Sequence, residues 1–406
     1  MQEQPLRNVL VVGGCGFMGH HLVKALLDDS TANKVSVFSR KPKENRYPGV
    51  TYYAGDITSF DNVSILLDIV KPRVIFHVAS PEPYADPPSH IPFQKVNVYG
   101  TANLLACAAA APSVLAFVFT SSVTVYQYDN NGELFNADET HPVLRGPVTK
   151  KDPYSESKAV ADALVIAANN SSSKECQVNG CSHSHLRTVC MRVPGIYGEG
   201  DENMTLHGLW MASWGLWIFQ LGNNNTLFDP VYVENAVLGH VLAAKALLSE
   251  ASSSDDITDE VSGEAFNITD DNPAPFWWYM HKIYRLGGYN VTPRNIWVIP
   301  TCVVMMLGWV AELVYWVIFW GKKRPQILIR SKLEHLCRTR TFDVGKAKRV
   351  LGWKPRVGVD DAMEVSVRWG LEELAKGSGG GRVEVEDVGE TFDIGTLSGK
   401  DWRANI

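Results

Sequence analysis

Tyr154 and Lys158 stand four residues apart in DPYSESKAVADAL, a spacing that puts both on one face of a helix. Upstream, the apolar run in FVFTSSVTVY ends in hydroxyl residues that include Ser122. The chemistry that needs these three is the interconversion of an alcohol and a ketone. A free phenol ionises near pKa 10 and is a weak base at neutral pH. A neighbouring ammonium lowers that value, and three units of lowering correspond to about 4 kcal/mol. Lys158 supplies the ammonium and reaches a nicotinamide ribose, Tyr154 moves the proton, and Ser122 orients the substrate oxygen.

Elements must bring the three together. Asn8 to Val12 is a short apolar run, followed by GGCGFMGHHLVKALLDD with apolar residues at helical spacing. Gly13, Gly14, Cys15, Gly16, Phe17, Met18 and Gly19 therefore read as a strand–turn–helix junction of the G-x-x-G-x-x-G type, whose amides cradle a dinucleotide pyrophosphate. Strands are predicted at Lys34–Ser39, Val50–Tyr53, Arg73–Val78, Ala116–Thr120 and Thr188–Arg192, separated by helical stretches. This alternation predicts an α/β fold with a Rossmann-type, doubly wound parallel sheet over residues 1–200, its site at the carboxyl ends of the strands. The second strand ends in Ser39-Arg40-Lys41 with no carboxylate to accept the ribose hydroxyls. Arg40 favours a 2′-phosphate, hence NADP over NAD as the cofactor. By analogy with such folds, Asp56 and Ile57 border the adenine.

Net charge −6 and a pI near 6.0 exclude the basic stripe that a nucleic-acid surface needs. Seven cysteines without a CxxC pair fit a reducing compartment, and the amino terminus lacks the pattern of a secretory signal. Cys176, Cys181, His183 and His185 lie in a polar insertion, 169–185, that reads as a surface loop; no metal is expected. Residues 201–376 read as a smaller substrate region that returns in part to the core, and 377–406, with GSGGGRVEVEDVGE, as a flexible tail.

The chain resembles the extended short-chain dehydrogenase/reductases, and within them the 3β-hydroxysteroid dehydrogenase and decarboxylating sterol-4α-carboxylate 3-dehydrogenase group. The resemblance covers about residues 8 to 375 and rests on VVGGCGFMGHHLV, FHVASP, KVNVYGTANLL, FTSSVTVY, DPYSESKA, RVPGIYGEGD, FDPVYVENAVLGH and FDVGKAKRVLGWKPRVGVDDAM. It implies that Ser122 and Tyr154 contact substrate, that Lys158 completes the set, and that Val78, Ala79 and Ser80 with Val193, Pro194, Gly195 and Ile196 line the nicotinamide half. Tyr232 and Asn235 fall in a stretch that closes over the cofactor in the family, although a core tyrosine and a helix-start asparagine serve equally well as readings. The implied reaction oxidises the 3β-hydroxyl of a sterol or triterpenoid; a 4-carboxylate then leaves as carbon dioxide. The implied setting is the endoplasmic reticulum membrane, with the catalytic part facing the cytosol and other sterol-demethylation enzymes as candidate partners.

Ile296 to Trp320 runs about 25 residues with one charge, Glu312, and nine of the 12 tryptophans fall between 210 and 320. At 1.5 Å per residue a helix of that length is roughly 37 Å, enough to span a bilayer. Yet FDVGKAKRVLGWKPR must return to the domain that holds Gly13. The expectation is thus an apolar element that lies in or dips into membrane lipid. Two rivals stand beside this reading: a ketone reductase or epimerase of a small polar substrate, and a non-catalytic cofactor-binding scaffold.

Overall fold

The computed structural model describes residues 5–83, 89–149, 152–169, 186–250, 261–320, 333, 337–376 and 390–396. Eight parallel strands form the main sheet, in the order Glu264–Asn267, Arg187–Val193, Ala116–Ser122, Val74–His77, Arg7–Val12, Ala32–Ser39, Thr51–Ala54 and Thr391–Asp393. The chain starts in the middle of this order and winds first one way, then the other. Helices therefore cover both faces, and the strands read as continuous apolar runs rather than alternating ones. All seven residues of Ala116–Ser122 are buried. Along the first strand Val9 and Val11 enter one core while Leu10 and Val12 enter the other. Each such side chain, fully buried, contributes about 1.5–3 kcal/mol.

The helix over Pro153–Ala167 carries its start signal in the sequence. Asp152 caps it by accepting from the Ser155 amide at 3.3 Å, and Pro153 occupies the first turn, where its missing N–H costs nothing. Along its length it grips the strand beside it. Lys158 Nζ donates to the Thr120 carbonyl at 2.8 Å, and Ser121 Oγ donates to Asp162 at 2.6 Å. Tyr154, one turn earlier, is carried to the end of the strand where Ser122 sits.

The strand at one edge of the sheet, Glu264–Asn267, comes from beyond the 1–200 boundary and pairs with Val189–Arg192. Only four residues long, it offers little periodicity to read. The segment read as a flexible tail is corrected for its described part: Thr391–Asp393 extends the sheet beside Tyr52–Ala54. Phe392 stacks on Tyr53 at 5.5 Å, and Ile394 is fully buried in the same core as Ile57. The Cys176, Cys181, His183 and His185 loop lies outside the described residues, as does most of 377–406.

The carboxyl-terminal return docks as its sequence requires. Asn235, fully buried, accepts from the amides of Arg356 and Val357 at 2.9 and 3.0 Å and donates to the Val357 carbonyl and to Asp270. The Trp353 indole donates to the Asn235 carbonyl. A second buried chain of contacts runs from Asp162 through Arg192 and Tyr126 to Asn267, whose amide donates to the Ala137 and Asp343 carbonyls.

The long apolar segment divides at Pro300. Trp297–Ile299 is a strand parallel to Phe219–Leu221, and the helix proper is Thr301–Phe319, 19 residues that include an 18-residue stretch of mean hydropathy 2.1. Proline ends the strand and is tolerated just ahead of the helix, so the expected 25-residue helix shortens to about 28 Å. By length and composition it is long enough to cross a membrane. Within it only Val304 and Gly308 are buried. The second apolar piece splits similarly: Leu209 and Ala212 pack inward, whereas Trp214 is 71% exposed.

Candidate active site

The residues singled out in the sequence converge on the carboxyl edge of the sheet. Gly13 follows Val12, whose neighbours in register are Phe38 and His77. Arg40 leaves the second strand on one side of the glycine-rich turn, and Val78, Ala79 and Ser80 leave the fourth on the other. Ser122 ends the fifth strand in register with Val193, which leads into Pro194, Gly195 and Ile196.

The turn explains its glycines one by one. Gly13 has φ +91° and a Cβ there would stand 2.8 Å from the Ala79 backbone; a Cβ on Gly19 would stand 2.2 Å from the Gly13 carbonyl. Gly16 differs, since its added Cβ would meet only Gly13 O, at 3.4 Å. Two glycines are filled by the protein itself and the third opens outward, at the start of the helix Phe17–Asp28. That cradle fits a pyrophosphate against helix amides. Ile57 is buried, and a Cβ on Gly100 would stand 2.6 Å from it; Asp56 accepts from the Thr58 amide at 2.8 Å in a local turn.

Ser122 is buried to 5% exposure, and its Oγ accepts from the Thr124 amide at 3.2 Å and the Thr124 hydroxyl at 3.1 Å. With both contacts accepted, its own hydrogen remains to donate. The Tyr154 ring meets Phe93 edge to face at 6.1 Å. Lys158, 3% exposed, lies 4.9 Å over the Phe119 ring, and burial brings its pKa down to about 8 despite the opposing charge of Asp162. His77 and His240 flank this strand as neutral rings, lowered by burial to about 3 and about 4. His240 contacts the Ala236 carbonyl through Nδ1, a bond only a donor makes, so its Nε2 accepts from Thr120 Oγ1 at 2.9 Å.

Several neighbours of the glycine-rich turn gave no signal in the sequence. Asn45 Nδ2 donates to the Cys15 carbonyl at 3.0 Å, Tyr47 stacks on His20 at 4.4 Å, and Arg46 lies 4.6 Å over the Tyr52 ring. Together they clip the loop after Arg40 back onto the first helix. Burial raises the Cys15 thiol above its ordinary value, so it stays protonated. Tyr232 and Asn235 take the packing roles: Tyr232 is buried and its hydroxyl donates to Glu199 at 3.0 Å. His21, Glu199 and Glu234 come within 4.8 Å of one another, and His21 bonds the Glu199 carbonyl at 2.7 Å.

Residues 10–300 match the family model described as the 3-beta hydroxysteroid dehydrogenase/isomerase family. The chain is 34% identical over 380 residues to a decarboxylating sterol-4-alpha-carboxylate 3-dehydrogenase of Candida albicans, covering 92% of this chain and 100% of the relative. The enzyme of the same name from Bos taurus is 30% identical, with 88% and 91% covered, and an Arabidopsis thaliana 3beta-hydroxysteroid-dehydrogenase/decarboxylase is 30% identical, with 88% and 78% covered. Among solved structures, a dTDP-glucose 4,6-dehydratase from Bacillus anthracis in complex with NAD superposes with TM-score 0.63 at 19% identity, over 91% of this chain and 98% of that one. A UDP-glucose 4-epimerase from Thermotoga maritima gives 0.64 at 19% identity, over 90% and 99%. The structural likeness carries the fold and the sequence likeness carries the kinship: the chain belongs to the 3-beta hydroxysteroid dehydrogenase/isomerase family.

Proposed function

We propose that this protein oxidises the 3β-hydroxyl of a 4-carboxylated sterol or triterpenoid and releases the carboxyl group as carbon dioxide. The observation that carries the reading is Ser122, Tyr154 and Lys158 at one strand–helix junction, beside a glycine cradle, in a chain whose full-length relatives are named for that reaction. A bound nicotinamide dinucleotide supplies the hydride acceptor. Gly13 to Gly19 would hold its pyrophosphate, Asp56 and Ile57 its adenine side, and Val78–Ser80 with Val193–Ile196 its nicotinamide side. Ser122 donates to the substrate oxygen while Tyr154 takes the hydroxyl proton, helped by the Lys158 ammonium. The product is a ketone β to the carboxylate. The C4–carboxyl bond then breaks, its electron pair passing into the ketone as an enolate, to which Ser122 donates and Tyr154 returns a proton. The finer choice of NADP over NAD rests on Arg40, exposed at the end of the second strand with no acid beside it in sequence until Glu44.

The apolar helix Thr301–Phe319 supports a lipid-borne substrate. Its flanks are tied to one folded body, through Trp297–Ile299 beside Phe219–Leu221 and through Arg340–Phe342 beside Leu134–Ala137. A helix held at both ends dips into or lies on the bilayer rather than dividing the enzyme across it. This fits an endoplasmic reticulum enzyme facing the cytosol, in reach of other sterol-demethylation enzymes. Membranes carrying the protein, given NAD or NADP and a 4-carboxy-3β-hydroxysterol, should yield the 3-ketone and carbon dioxide. Tyr154→Phe should lower turnover at least a hundredfold with cofactor affinity intact. No sterol oxidation with either coenzyme would overturn the proposal.

A further inference from the structure

At the opposite, amino-terminal edge of the sheet lies a cleft of about 420 Å³ that the reaction does not use. Arg7, Lys71 and Arg73 line it, with Asn8, Asn33 and Ser113 between them, and no lining residue is acidic. Three features there run against the grain of a fold that only needs to be stable. Two of the three cations stand on left-handed backbone: Lys71 at φ +47° as the cap that ends the helix Phe60–Val70, its amide donating to the Leu67 carbonyl, and Arg7 at φ +57°, a conformation costing a non-glycine residue of order 1 kcal/mol. Arg7 does so at a register break in the first strand. The cations also repel: burial, and then the charge of Arg7, lower the pKa of Arg73. Finally, Arg73 Nη1 donates to the Pro5 carbonyl at 2.9 Å, but its buried Nε finds no acceptor. Strain at Arg7, like-charge crowding and an incompletely paired guanidinium coincide at one place, and an anion in the cleft offsets the crowding.

We propose that this cleft binds a small phosphate-bearing anion. A guanidinium presents paired donors that match phosphate oxygens, and the groove, open to solvent, has room for more than a single phosphate. The site lies across the sheet from Gly13, so it fills independently of the cofactor.

The test uses the full chain with saturating NAD or NADP, which blocks the glycine cradle, and inorganic pyrophosphate as titrant in a calorimeter. One pyrophosphate should bind saturably, more weakly as salt rises. Arg73→Gln should weaken it at least tenfold. Arg7→Asn and Lys71→Asn should each weaken it severalfold; asparagine tolerates left-handed backbone, so these two remove charge without disturbing the fold. Cofactor affinity should be unchanged in all three, which separates this site from the cofactor turn. No saturable binding at millimolar pyrophosphate, or equal affinity in Arg7→Asn and Lys71→Asn, would show an ordinary solvated face and overturn the proposal.

Discussion

Two apolar elements of this molecule meet opposite fates. The strand Ala116–Ser122 is buried along its whole length, whereas the helix Thr301–Phe319 buries Val304 and Gly308 and leaves Trp309, Trp316 and Ile318 exposed. Their compositions alone do not foretell this. What separates them is the company the chain provides: helices close over both faces of the strand, while the described residues cover little of the helix beyond Val304 and Gly308. The sheet end is thus determined from within, by packing and buried hydrogen bonds. The far end leaves most of its apolar side chains exposed.

The contrast can be broken at three points. The largest effect should come from Gly19→Val, because a side chain there collides with the Gly13 carbonyl. Cofactor quenching of tryptophan fluorescence should vanish, a loss above a thousandfold, while vesicle binding persists. Next is the triple change Trp309→Gln, Trp316→Gln and Trp320→Gln. Three exposed rings transferred to lipid contribute about 1.5–3 kcal/mol each at most, so vesicle affinity should fall at least a hundredfold with the melting temperature unchanged. A melting temperature that drops instead would mean the helix packs against protein. The smallest effect concerns Lys158. Its folded pKa of about 8 lies below the unfolded 10.5, so the unfolded chain binds more protons between those values, and stability rises with pH across that window. Charged Lys158 therefore costs about 3 kcal/mol at pH 7. Lys158→Met should be inactive yet more stable by denaturant titration at pH 7, with the gap closing toward pH 10.5.

The same division governs what the sequence discloses. Ser122, Tyr154, Lys158 and the glycines of the first turn were legible because each is tied to a local signal: a strand ending in hydroxyls, an i,i+4 pair behind an Asp-Pro cap, a turn between strand and helix. Asn45 and Tyr47 were not, since their partners Cys15 and His20 lie well upstream; Arg46 has Tyr52 six residues away, but only the strand that carries Tyr52 fixes the pair. Asn235 shows the limit from the other side. Its position at a helix start is ordinary, and only the return of Arg356 and Val357, more than a hundred residues on, makes it a junction. Pro300 was visible, but its consequence, a strand before the helix, needed Phe219–Leu221 as a partner.

The edge strand Thr391–Asp393 has a bearing on how the protein is made. It pairs with Tyr52–Ala54, more than three hundred residues upstream. At a ribosomal pace of 5–20 residues per second, roughly fifteen seconds or more separate the emergence of the two partners. Throughout that interval the backbone groups of the Thr51–Ala54 edge lack this partner, the kind of surface on which chains aggregate. A nascent chain of this protein thus has a defined period of vulnerability, ended by seven residues whose composition gives little hint of the task.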